Sequence, residues 1–130
     1  MAGRTTEVYL EVGAKRTFAG ALAWPGWCRS GRDEAAALAT LVAYGTRYAA
    51  VVADTDLGFE PPHGSEALVV VGRVTGDGST DFGVPGALAP GDQKPVAGAE
   101  LTQLVVLLRA CWAALDQAAA EVTTAGLAAG

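Results

Sequence analysis

The sequence is poor in the residues that most metal and nucleophilic sites use. His63 is the only histidine among 130 residues, and Cys28 and Cys111 are the only cysteines. Zinc and iron sites usually take two or three imidazole or thiolate ligands at defined spacing. We therefore expect no metal and no other cofactor. Two cysteines outside any CxxC motif are more typical of buried thiols than of a structural disulfide.

Basic residues are also scarce. The chain has 9 Lys and Arg against 14 Asp and Glu, a net charge of −5, and no basic run. Because nucleic-acid affinity comes largely from basic side chains that neutralise phosphates, we expect this chain alone to bind no nucleic acid. The start, "MAGRTTEVYLEV", has no signal-peptide pattern, and we find no stretch that approaches the roughly 18 apolar residues of a spanning helix. The sequence thus predicts a cytoplasmic protein without a membrane partner.

What is present indicates one folded domain. Hydrophobic residues make up 51% of the chain and charged residues 18%, which is typical of a globular protein. "TEVYLEVG" alternates apolar and polar residues, Gly13-Ala14 is a turn, and "RTFAGALAW" returns. This pattern predicts a β-hairpin. Pro25-Gly26 then ends the second strand, since proline cannot donate to a central ladder.

A helix is expected next, with Ser30 or Asp33 as its N-cap and a break at Gly45-Thr46. After a loop over 54–65, "EALVVVGRV" predicts a strand covered on both faces. The Gly/Pro-rich connection 75–98 has room for one short strand near Thr80–Phe82. A long apolar helix follows over 98–122.

These elements predict an α+β fold, a small and mainly antiparallel sheet with the long C-terminal helix packed on it. We expect a single domain over 1–130 whose core spans about 6–75.

Cys28 is the best candidate for a reactive residue. Neighbouring arginines and a helix N-terminus would lower the pKa of its thiol. Tryptophans can stack on a planar or sugar ligand, so a ligand pocket at this corner would use Trp24, Trp27, Cys28, Arg29 and Arg32. The favoured alternative is structural, with the tryptophans in the core and the thiol packed at a strand-to-helix corner. Likewise, Asp54, Asp56 and Glu60 near His63 are better read as a solvated acidic loop than as a cation site.

The last helix carries more apolar residues than one small sheet needs to cover. Excess apolar surface on a monomer usually marks an interface. The expected partner surface comprises Leu104, Leu107, Leu108, Cys111, Trp112 and Leu115.

The segment "AWPGWCRSGRDEAAALATL" after a short hairpin resembles HicB-like antitoxin domains. The residues that carry the match are Pro25, Gly26, Gly31, Asp33, Glu34, Ala35 and Leu38, with Leu68–Val74 as the later strand. The resemblance covers about residues 6–75 and implies a degraded ribonuclease H fold that neutralises a small toxin ribonuclease. The family's DNA-binding segment has no counterpart in this chain. The same opening also resembles the N-terminal part of uncharacterised actinobacterial proteins.

The sequence is therefore compatible with two functions. The preferred one is a non-enzymatic HicB-like interaction module, antitoxin-type or regulatory, that binds a protein partner or itself. The alternative is a small-molecule-binding protein or small enzyme with its pocket near Trp24, Trp27 and Cys28. A third interpretation is that the chemistry lies in sequence beyond residue 130.

Overall fold

A computed structural model describes residues 4–126, and for 123–125 it describes the backbone only. These residues form two compact units. The first contains the described residues up to Tyr48 together with Glu60–Lys94, and the second contains Ala49–Phe59 together with the described residues from Pro95 onward.

The elements confirm the predicted α+β class. In chain order they are β1 (Thr6–Val12), β2 (Thr17–Ala21), β3 (Cys28–Gly31), α1 (Glu34–Ala43), α2 (Gly45–Val51), a 3-10 turn (Ser65–Ala67), β4 (Leu68–Thr75), α3 (Gly78–Phe82) and α4 (Gly98–Ala125).

The first unit contains one four-stranded sheet in the order β3-β2-β1-β4. The predicted hairpin is confirmed, because β1 and β2 pair antiparallel from Val8 opposite Ala21 to Val12 opposite Thr17. β3 also pairs antiparallel with β2, whereas β4 runs parallel to β1. The sheet is thus mainly antiparallel, and β1 is an interior strand.

The structure corrects the interpretation of the Pro-Gly corner. Pro25-Gly26 does not lead directly into a helix but lies in the turn between β2 and β3, where Gly26 has a φ of +90°. Only after β3 does α1 begin. Its N-cap is Asp33, whose carboxylate accepts a hydrogen bond from the Ala36 backbone N–H at 2.8 Å. Ser30 lies within β3 and is not the cap. The expected break is confirmed, since α1 ends at Ala43 and α2 begins at Gly45.

Two predictions for the later segment are wrong. Residues Thr80–Phe82 are helical, not a strand, because Asp77 caps α3 and exchanges hydrogen bonds with Thr80 in a capping box. β4 is not covered on both faces. It is an edge strand, and Val69 and Val71 are 42% and 47% exposed. Its continuous apolar run did not distinguish an edge strand from a central one.

The core of the first unit lies between the sheet and α1. Val8, Leu10, Ala19, Ala37 and Leu41 are all fully buried there. This packing needs a close approach at Gly31 of β3, because a Cβ built at Gly31 would lie 2.5 Å from the Ala37 backbone nitrogen. A glycine at this position therefore sets the distance between β3 and α1.

We expect Gly31→Ala to destabilise the protein. The new methyl group would overlap the α1 backbone, which cannot move aside as a flexible side chain can, and overpacking of this kind costs about 1–3 kcal/mol. Gly78→Ala is the matched control, because a Cβ there has no neighbour within 4 Å and alanine favours the helical backbone by about 0.5 kcal/mol. Urea unfolding of both variants measures the difference, and equal stabilities would contradict the close approach.

Candidate functional site

The structure does not gather the five predicted ligand residues into one pocket. Trp27 is 2% exposed; its ring N–H donates to the Leu41 carbonyl oxygen at 2.9 Å, and its ring stacks on Tyr48 with centroids 6.0 Å apart. Trp24 meets the same Tyr48 ring edge-on at 6.4 Å. The Tyr48 hydroxyl donates to the Pro25 carbonyl oxygen at 2.8 Å. The tryptophans thus form an aromatic corner that fastens the β2–β3 turn to the helices.

The two arginines serve separate contacts. The Arg29 guanidinium lies 4.0 Å from the centre of the Tyr44 ring, a cation–π contact at the end of α1. Arg32 is largely exposed, with its Nε 3.9 Å from the Asp33 carboxylate. Because side chains alternate along a strand, Cys28 and Arg29 point to opposite faces of β3.

Cys28 has the opposite electrostatics from those expected. Burial raises the pKa of its thiol, and the nearby Glu11 carboxylate raises it further, while Arg29 and a hydrogen bond with Tyr9 lower it only in part. On the same face, burial raises the pKa of Tyr9 to about 12, helped by the charges of Cys28 and Glu11. Since the thiolate is the nucleophile, this environment suppresses reactivity. The expectation of a lowered pKa is wrong because Cys28 lies within a strand and not at a helix N-terminus.

A buried polar cluster in the first unit is centred on Glu11, which is not among the residues predicted from sequence. This side chain is fully buried on β1. Its carboxylate accepts hydrogen bonds from the Thr80 hydroxyl at 2.7 Å and from the backbone N–H groups of Gly86 and Ala87 at 3.1 and 2.9 Å. No signal in the sequence marked this cluster, because Glu11 alternates with Leu10 and Val12 like a solvent-facing residue and its partners lie 69 to 76 positions away. With three donors, Glu11 holds the 76–87 segment over the sheet.

Asp81 fastens the same segment at a second point. Its carboxylate accepts hydrogen bonds from the backbone N–H groups of Ala14, Lys15 and Arg16 in the β1–β2 turn, at 3.3, 2.7 and 3.1 Å. These hydrogen bonds, that of Lys15 first, lower the pKa of the Asp81 carboxyl. The irregular segment is therefore anchored to both the centre and the end of the hairpin. The hydrogen bonds of Glu11 and Asp81 thus attach the 76–87 segment to the hairpin.

An open depression in the second unit has a volume of about 380 Å³. Its lining residues are Asp56, Leu57, Ala99, Thr102, Gln103 and Val106. None of the predicted ligand residues contributes to it. Among residues 4–126, no group of three or more His, Cys, Asp or Glu side chains is arranged to hold a metal ion, and the expectation of no metal stays a prediction.

The expected partner surface on α4 divides into two faces. Leu107 is only 6% exposed, and Leu104 and Cys111 are half-buried. In contrast, Leu108, Trp112 and Leu115 are 49%, 58% and 65% exposed. They belong to an exposed row spaced alternately four and three residues apart, here termed the α4 row: Leu101, Val105, Leu108, Trp112, Leu115, Ala119 and Val122.

The length of α4 corrects the expectation that no stretch is long and apolar enough to span a membrane. Gly98–Val122 forms 25 helical residues of mean hydropathy 1.3, long and apolar enough by those two criteria to cross a bilayer. The sequence therefore does contain a stretch of the required length and hydropathy, although this alone is weak evidence of a span. The cytoplasmic location and the absence of a membrane partner stay predictions.

We expect acid to weaken the Asp81 attachment. The folded-state pKa of Asp81 is below its ordinary value of 3.8. Its contribution to stability is therefore complete above that value and is lost as the pH falls through the folded-state pKa. Asp81→Asn should be less stable than wild type at pH 7 and should lose less stability on acidification below pH 4. Urea unfolding as a function of pH measures both effects.

Asp54→Asn, at an exposed loop position, is the control, and identical pH profiles for Asp81→Asn and wild type would contradict the attachment.

We expect slow alkylation of Cys28. With a raised pKa, its thiol should react with iodoacetamide at pH 7.5 more slowly than a free cysteine, and the rate should keep increasing above pH 9. Mass spectrometry of a Cys111→Ser variant isolates the Cys28 rate. Tyr9→Phe tests the cause, since loss of the hydrogen bond that lowers the Cys28 pKa should slow alkylation further. A rate at pH 7.5 above that of free cysteine would contradict the suppressed reactivity.

Comparison with known proteins does not assign the chain to a family. No family model, curated protein or solved structure matches it. The resemblance to HicB-like domains therefore stays a prediction that rests on the residues from Pro25 to Leu38 and on the later strand.

Proposed function

We propose that this chain is a non-enzymatic, HicB-like interaction module, antitoxin-type or regulatory, whose docking surface is the α4 row. The observation that carries the proposal is the exposure of large apolar side chains on one face of a 28-residue helix. Soluble proteins seldom leave a contiguous apolar face uncovered unless it binds something.

The α4 row has the composition of an interface centre. Trp112 is 58% exposed and lies between Leu108 and Leu115. Tryptophan is enriched among the residues that dominate binding energy, and aliphatic neighbours that exclude water increase its effect. Fully burying one such aliphatic side chain contributes about 1.5–3 kcal/mol. Covering the row with a partner therefore supplies a driving force that the isolated chain leaves unused.

The HicB-like part of the proposal rests on residues of the first unit. The residues that carry the resemblance lie at structurally distinct points: Pro25-Gly26 in a turn, Gly31 against α1, and Asp33 as the cap of α1. The net charge of −5 suits a basic partner such as a small toxin ribonuclease, since complementary charge accelerates encounter and selects partners.

The enzymatic alternative receives less support. The predicted ligand residues serve separate structural contacts, and the raised pKa of Cys28 disfavours its use as a nucleophile. The Glu11 carboxylate accepts three internal hydrogen bonds.

The test compares Leu108→Glu/Leu115→Glu with Ala113→Glu/Gln117→Glu. Both double variants add two negative charges to α4, but Ala113 and Gln117 are exposed positions outside the α4 row. Association is measured in two arms. One is sedimentation velocity of the protein alone, and the other is calorimetric titration with the purified product of the reading frame adjacent to its gene.

Association in either arm should be at least about tenfold weaker in Leu108→Glu/Leu115→Glu, because charges would be buried in an apolar contact. It should change less than about twofold in the control variant, as expected for surface substitutions outside an interface. Circular dichroism checks that both variants remain folded. No association in either arm, or association that the two variants weaken equally, would overturn the proposal.

A further inference from the structure

We infer that the α4 row pairs with the α4 row of a second copy of this chain, with the two helices antiparallel. The inference rests on the proposed function and names its partner. It depends on the spacing of the row and on the positions of two charged residues beside it.

The α4 row has the spacing of a coiled-coil seam. Its members recur at alternating intervals of four and three residues from Leu101 to Val122, and a sustained 3.5-residue period is what allows two helices to keep one seam in contact. In the usual heptad notation, Val105, Trp112 and Ala119 occupy a positions. Leu101, Leu108, Leu115 and Val122 occupy d positions.

An antiparallel pair brings large and small members of the row together. When a positions face d positions, Trp112 of one copy meets Leu115 of the other, and Leu108 meets Ala119. The next layer outward joins Val105 to Val122, and Leu101 faces Gly126 at the end of α4. In a parallel pair in register, Trp112 would instead meet Trp112, and two indoles would have to share one layer. Facing layers of unequal size fill the seam with fewer clashes and voids.

The flanking charges favour the same orientation. Arg109 and Asp116 are both exposed and both occupy e positions, beside the row. In the antiparallel register defined by the Trp112–Leu115 layers, e positions face e positions. Arg109 of each copy then lies opposite Asp116 of the other, and two-fold symmetry makes this pair twice. In the parallel register these charges face Leu104 and Cys111 and gain no partner of opposite sign.

The same charges weigh against a lipid as the occupant of this face. Arg109 lies one residue from the midpoint of Gly98–Val122, where an ionised side chain at the centre of a bilayer costs about 2.5–3.5 kcal/mol, and Asp116 lies within the same stretch. A second helix with complementary charges satisfies both side chains, whereas hydrocarbon satisfies neither.

A charge-reversal cycle tests the orientation. Analytical ultracentrifugation of wild type should give a concentration-dependent species of twice the 13.1 kDa chain mass. Arg109→Glu and Asp116→Arg should each weaken self-association about threefold or more, because each places like charges opposite each other twice. An equimolar mixture of the two single variants should associate as well as wild type, since both pairs are again of opposite sign. This difference should shrink in high salt.

The outcomes separate the inference from the proposed function. If Leu108→Glu/Leu115→Glu prevents self-association but the mixture associates no better than its components, the antiparallel register is overturned and the docking surface stands. If the protein is monomeric alone yet binds the neighbouring gene product through the α4 row, the second copy is overturned and the proposed function stands. If a monomeric chain binds neither but binds vesicles of phosphatidylcholine and phosphatidylglycerol, both are overturned. Circular dichroism of each charge variant confirms that α4 remains helical.

Discussion

A buried carboxylate on an interior strand organises the first unit. Glu11 lies fully buried on β1, and burial of its polar oxygen atoms is costly unless they are hydrogen-bonded. Thr80, Gly86 and Ala87 provide those hydrogen bonds. The 76–87 segment is therefore required on the second face of the sheet, and the capping box of α3 positions the Thr80 hydroxyl for this contact. Asp81, one residue later, attaches the same short helix to the β1–β2 turn.

On the opposite face of the sheet, the arrangement of α1 depends on close backbone packing. Gly31 allows α1 to approach β3, and Leu41 then lies where its carbonyl oxygen accepts the Trp27 ring N–H. Tyr48 stacks on the same indole and reaches back to Pro25. The Pro-Gly turn is thus positioned by aromatic and hydrogen-bonding contacts from both helical segments. This accounts for two tryptophans close together in sequence, since both rings contact Tyr48.

Local sequence patterns predicted the elements that depend on neighbouring residues alone. The alternation of β1, the turn at Gly13-Ala14, the break near Gly45 and the length of α4 were all readable from sequence. The short strand β3 was not, because "CRSG" has neither strong alternation nor strand propensity and is held by pairing with β2. The Glu11–Thr80 contact was also out of reach, since it joins residues 69 positions apart. For the same reason the electrostatics of Cys28 were misjudged: its pKa depends on burial and on Glu11, and its sequence neighbours contribute less.

The buried face of α4 and the exposed α4 row differ in what they indicate about function. Leu107 and the half-buried residues around it account for the apolar content that any helix in a small protein needs. The α4 row is additional, since its large side chains leave 37–65% of their surface exposed. The four-and-three spacing keeps the row on one face of the helix along its whole length, and Arg109 and Asp116 flank this face beside Trp112 and Leu115. A seam with a second helix would use both features, the spacing for continuous contact and the charges for orientation. The exposure of this regular row is therefore a stronger argument for association than its hydrophobicity alone, because a core helix would bury such a stripe.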